Sequence, residues 1–218
     1  NAPERREQRT TPRTATVDDT PRPGVIALVR SSRRFQRLIV TTAPWVFGAA
    51  TVSMTVLPHL VADRVAGNEL AFAGIITGLT QLTGVAVQPW AQRRERKGKR
   101  DALTIGMLMA AGGFLLSIVV ASSGNPWWVV IAAPIFGVGF GVLLVSGIDE
   151  ITRMADPRDL GGFVALFYVL TYLGFALPIL LAAILPAIDY QVSFAICAVL
   201  VLLSAPVVRQ ELARDSNH

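Results

Sequence analysis

The sequence predicts an all-α membrane protein built as a bundle of six transmembrane helices. Three observations predict it. Hydrophobic residues make up 52% of the chain and charged residues only 16%, with a mean hydropathy of +0.51, where a soluble domain carries about a quarter charged residues. The charges are segregated, leaving six long apolar intervals that contain none. The basic residues also fall almost entirely on alternate sides of those intervals.

The elements follow in order. Residues 1–37 are rich in Arg, Thr and Pro (ERREQRTTPRTATVDDTPRPG) and hold no sustained apolar period. That composition predicts a disordered cytoplasmic linker. Within it, GVIALV at 24–29 is too short to span and suits a brief helix on the membrane surface. The apolar intervals then run 38–62, 70–90, 102–121, 127–148, 161–185 and 191–208. Each approaches the roughly 20 residues that a helix needs to cross hydrocarbon. The sixth is the shortest. A soluble surface needs polar faces, so six such intervals in a row exclude a soluble fold. Residues 209–218 read as a cytoplasmic tail. The first apolar run begins near Leu38, too late for a signal peptide, and the start at Asn1 suggests a fragment or processed product.

Charge sets the expected orientation. Of the 20 Lys and Arg residues, all but Arg64 lie before the first span, after the sixth, or in the loops between spans two and three and spans four and five. The positive-inside rule makes that side cytoplasmic. Both termini are then inside, in the cell (inner or plasma) membrane. Net charge is +5, but the basic residues flank apolar runs, which argues for membrane orientation and against nucleic acid. Cys197 is the one cysteine and lies inside a span. No metal-ligand spacing exists and no cofactor is expected. The short outer loops, such as SSGNP at 122–126, force sequential helices to pack antiparallel.

The most informative segment is AQRRERKGKR at 91–100. Physically it is a tight basic loop in which Gly98 permits a sharp turn. Glu95 and Asp101 can pair with nearby Arg or cap the third helix. The segment resembles the signature of the major facilitator superfamily, Gly-x-x-x-Asp-Arg-x-Gly-Arg-Arg, which joins the second and third helices of each six-helix half. Glu95 takes the Asp place, Arg96 the Arg, Gly98 the Gly, and Lys99 and Arg100 the basic pair, while Ala91 replaces the first Gly. Such relaxed copies are usual in the C-terminal half of that family. The resemblance implies half of a twelve-helix secondary transporter, with a missing N-terminal six-helix half as partner. It also implies that Glu95 and Arg96 act as a latch that opens as the halves rock.

The second span carries Gly74, Thr77, Gln81, Gly84 and Gln88 on one helix face. Gln81 lies near mid-membrane and should face protein or water, not lipid. Interhelical hydrogen bonding and substrate contact both fit. Tyr168 and Tyr172 on the fifth span are cavity-lining candidates on the same terms. Pro134 and Pro178 predict bends. GVGFG at 137–141 and Gly106, Ala110, Gly113 and Ser117 read as close-packing seams. Asp149 and Glu150 are expected at the wet inner boundary, paired with Arg153 or the basic loop, and His59 at the outer boundary.

A small-molecule substrate and a lipid bilayer are the implied partners. Proton coupling stays open, because no Asp, Glu, Lys or Arg lies deep in any span. An enzyme is not expected. Ser146 and Gly147 stand in LVSG, which lacks the leading Gly of a Gly-x-Ser-Gly nucleophile. The histidines are His59 and His218, neither deep in a later span, so no base is in reach of that serine. A self-standing six-span protein that dimerises, or a channel or permease subunit, is the alternative.

Overall fold

The computed structural model describes residues 32–99, 101–184 and 187–215. Among them six helices are long and apolar enough to cross a membrane, and there is no strand. We name them α1 (Arg33–Leu60), α2 (Glu69–Arg96), α3 (Ala102–Ser123), α4 (Pro126–Met154), α5 (Leu160–Ile184) and α6 (Tyr190–Ala213). The all-α six-helix bundle is as the sequence predicts. The surface helix at 24–29 and most of the 1–37 linker lie outside the described residues.

Boundaries differ at one end of the bundle. Helix α1 starts at Arg33, inside the stretch read as linker, where the Ser32 hydroxyl accepts from the Phe35 amide at 3.3 Å. Helix α2 continues through Arg96, so most of AQRRERKGKR is helix and not loop. Arginine is a good helix former, and three of them in the last turn suit the helix dipole. The turn itself is short and uses Gly98 at φ +74°. The sixth helix persists through Asp215, making it 26 residues and longer than the 22 of α3. The expected tail is therefore helical through residue 215, and α3 is the shortest span. At the other end, Asn125 caps α4 by accepting from the Trp127 amide at 3.0 Å, with Pro126 at the first turn.

Helices α1 and α4 are the most buried, and α2 and α5 the least, with 17% and 22% of their apolar windows covered. Helix α2 packs on α4 and on the second half of α1. Helix α5 packs on α1 and, less extensively, on α4. Helices α3 and α6 pack on each other, α3 also lying along α4. The core is aliphatic and aromatic, centred on Val46, Phe114, Phe136, Leu143, Phe167 and Phe194.

Glycine makes the closest approaches. A Cβ on Gly141 would sit 2.0 Å from the Gly84 carbonyl oxygen, and one on Gly137 2.4 Å from that of Thr80. Gly139 faces α3 instead, 3.0 Å from the Ala110 amide nitrogen. The GVGFG segment thus serves two seams. Without hydrophobic driving force inside a bilayer, helices associate through such backbone-close contact. The Ser53 and Thr80 hydroxyls add a buried hydrogen bond of 2.9 Å between α1 and α2.

Three helical irregularities share one cause. Helix α1 is wound as π-helix over Gln36–Val40 and Val52–Val56, and α5 is 3₁₀ over Leu173–Ala176. Pro44, Pro58 and Pro178 stand four residues beyond Val40, Met54 and Gly174. A proline ring clashes with the carbonyl four residues back and removes its hydrogen-bond donor. The local helix rewinds to accommodate the loss. Pro134, expected to bend α4, is accommodated inside continuous α-helix, as are Pro89 and Pro206.

Candidate functional site

Two regions concentrate polar chemistry. The first is the basic end of the bundle, where the four described ion pairs lie. Arg34 donates to Glu150 at 2.9 Å, joining α1 to α4. Arg37 pairs with Glu211, joining α1 to α6. Arg153 of α4 reaches Glu95 of α2 at 3.4 Å. Arg94 grips Asp101 with two bonds of 2.6 Å across the α2–α3 turn, and its guanidinium lies 5.4 Å from the Trp90 ring centroid. The hydrogen bonds from Arg94 hold the Asp101 carboxyl below the usual aspartate range. A shallow cavity of about 240 Å³ opens here, lined by Gln92, Glu95, Arg96, Asp149, Thr152 and Arg153.

The motif residues divide within this region. Glu95 is buried, at 4% exposure, and its partner lies on the same chain. Arg96 and Lys99 are exposed, and the Lys99 amide donates back to the Arg94 carbonyl at 3.2 Å. Gly98 makes the turn, and Arg100 lies outside the described residues. Asp101 pairs with Arg94 and makes no side-chain cap to α3. Glu150 pairs with Arg34, in the first turn of α1, and not with Arg153 or the basic loop. Arg153 is already turned to Glu95.

The second region is the uncovered side of α2 and α5. On α2 the packed stripe is Ile76, Thr80, Gly84, Ala91 and Glu95. Thr77, Gln81 and Gln88 lie along one edge of it, Gln81 exposed and the other two half-buried. None of the three side chains has a hydrogen-bond partner among the described residues, so the interhelical bonding that Gln81 could have made is not made there. On α5, Tyr172 is 55% exposed and Tyr168 half-buried, and neither hydroxyl is bonded among the described residues.

Aromatic rings connect the two helices. Phe140 of α4 covers Gly84 of α2, where an added Cβ would stand 2.6 Å from the ring. Its centroid is 5.6 Å from that of Phe47 on α1. Phe47 in turn stacks on Tyr172 at 5.5 Å and on Phe175 at 4.9 Å, with interplanar angles of 8° and 21°. Tyr168 approaches Tyr172 at 6.2 Å. The sequence marked the two tyrosines but not Phe47, Phe140 or Phe175. The spacing of Tyr168, Tyr172 and Phe175 at four and three residues was the available signal.

The profile of the Major Facilitator Superfamily matches this chain over residues 3–177 and, in a second overlapping alignment, over residues 39–215. No curated protein matches the sequence.

Proposed function

The chain belongs to the major facilitator superfamily, and we propose that it forms the C-terminal six-helix half of a secondary carrier for a small solute. It is a multi-pass membrane protein. In this reading the basic end faces the cytoplasm, and a second six-helix unit covers α2 and α5. The observation that carries it is the side of α2 and α5 left uncovered. Those two helices bury little of themselves, yet they carry Thr77, Gln81, Gln88, Tyr168 and Tyr172, whose polar groups have no partner among the described residues. An amide at mid-membrane is costly in lipid. A water-filled path shared with another unit satisfies it. Glu95, Arg96, Gly98, Lys99 and Arg100 then form the moving latch at the path's inner mouth. A second copy of the chain could supply the covering unit, and crosslinked homodimers formed without any other six-span unit would favour that alternative.

Labelling tests the path. Gln81→Cys and Tyr172→Cys, each made with Cys197→Ser, are expected to react with a membrane-impermeant thiosulfonate in sealed vesicles. Leu203→Cys on α6, an apolar exposed position, is expected to stay unreactive. Protection of all three from the water-soluble reagent, with reaction to a lipophilic maleimide, would place α2 and α5 against lipid and overturn the carrier reading.

A further inference from the structure

The geometry points to a substrate-class determinant in this wall: the rings of Phe47, Tyr172 and Phe175 form a platform for a flat aromatic solute that is not anionic. This inference rests on the carrier reading. The platform is made by a backbone device. Gly174 crosses α1 so closely that a Cβ there would lie 2.4 Å from both the Gly48 nitrogen and the Pro44 carbonyl oxygen. The crossing falls inside the 3₁₀ turn Leu173–Ala176. A 3₁₀ helix has three residues per turn, so side chains three apart eclipse. Tyr172, at the edge of that turn, and Phe175 are therefore brought onto one line, both over Phe47.

The three rings are nearly co-oriented. Their interplanar angles are 8°, 21° and 29°, and their centroids stand 4.9 to 5.9 Å apart. Tyr172 and Phe175 remain 55% and 48% exposed, so ring surface is left for another planar group. Offset stacking favours such a group over a sugar or a branched aliphatic. The ring quadrupole tolerates positive charge. An anion would meet no counter-charge, because no Lys or Arg lies in the apolar part of any span. The hydroxyls of Tyr168 and Tyr172, unbonded among the described residues, add two hydrogen-bonding groups at the platform's edge.

The test uses the protein in lipid nanodiscs with three probes: ethidium (flat cation), tetraphenylphosphonium (cation of the same charge, not flat) and glucose. Ethidium is expected to bind at least tenfold tighter than tetraphenylphosphonium. Phe47→Leu and Tyr172→Leu are each expected to weaken ethidium about tenfold, Tyr172→Phe to retain most of the affinity, and Leu115→Ala on α3 to change nothing. Ethidium bound no tighter than tetraphenylphosphonium, or indifferent to both leucine variants, overturns the platform. The Gln81→Cys labelling separates this from the carrier reading. Labelling that glucose blocks and ethidium does not would leave a carrier standing and refute the aromatic class. Absence of labelling by the water-soluble reagent would remove both.

Discussion

Replacing Gly174 by alanine should uncouple α5 from α1, and the size of the effect follows from one contact. The new Cβ would lie 2.4 Å from two backbone atoms, Gly48 N and Pro44 O, and 3.1 Å from Gly48 Cα. Ordinary contact begins near 3.4 Å. Backbone cannot swing aside as a side-chain end can, so α5 must retreat by about 1 Å. Overpacking of this kind costs about 1–3 kcal/mol, and the stacked rings beside the crossing separate as well. Two other glycines give the scale. Gly48→Ala meets only the Leu177 Cδ2 methyl inside 3.4 Å, at 3.2 Å, and a flexible methyl can yield, so its effect should be small. Gly161→Ala, on the same helix as Gly174, meets nothing within 4 Å and gains up to about 1 kcal/mol of helix propensity. Unfolding by SDS in mixed micelles, followed by tryptophan fluorescence, should rank Gly161→Ala at or above wild type, Gly48→Ala near it, and Gly174→Ala lowest. The span from highest to lowest should be about 1–4 kcal/mol, at least about fivefold in the folded-to-unfolded ratio. Gly174→Ala unfolding together with Gly48→Ala would refute the claim that backbone contact holds this crossing.

Two further outcomes follow from named contacts. Ser53→Ala removes one side of the buried 2.9 Å bond to Thr80, while Thr80 keeps its bond to the Ile76 carbonyl; the same SDS titration should show a loss of about 0.5–1.5 kcal/mol. Glu95→Gln keeps the shape of a buried side chain but removes its charge opposite Arg153, which at 32% exposure can turn to water. In the complete carrier, membrane insertion should therefore be unchanged while solute flux in proteoliposomes falls at least tenfold, and equal losses of both would make the α2–α3 turn merely structural.

Span number was legible because bilayer thickness imposes a length that composition reveals directly. Span ends were not, because nothing in the backbone of α2 stops at the interface: Arg93, Arg94 and Arg96 continue the helix that apolar residues began. The glycine seams were legible as seams, yet their partners were not. Gly137 and Gly141 turn to α2 and Gly139 to α3, an assignment fixed only when three helices surround α4. Proline was a partial guide: Pro44, Pro58 and Pro178 each stand four residues beyond a position in an irregular turn, while Pro89, Pro134 and Pro206 sit in unbroken α-helix. Whether the helix answers by widening to π or tightening to 3₁₀ depends on neighbours. The candidate site was half legible. Gln81 and the tyrosines declared themselves as polar groups in apolar runs, but Phe47 is an ordinary phenylalanine until it meets Tyr172 from 125 positions away.

The way each peripheral helix is held explains why α5 carries the more sensitive contact. Helix α2 is fastened twice: by its glycine seam with α4, and at the basic end by the pairs Glu95–Arg153 and Arg94–Asp101. Helix α5 has no ion pair among the described residues. It is held by Phe163 on Phe35 at 5.5 Å, by Phe167 against Gly147, and by the Gly174 crossing. The first two lie in its first half, before the 3₁₀ turn. At that turn the glycine crossing and the Phe47 stack tie it to α1, and beyond the turn Leu177, against Gly48, and the buried Leu181 continue the contact. In lipid, apolar packing gains nothing from excluding water, so a tie made only of contact distance fails as soon as the distance opens. The same short contact that fixes Tyr172 and Phe175 over Phe47 is thus the backbone tie on which the α1–α5 crossing depends.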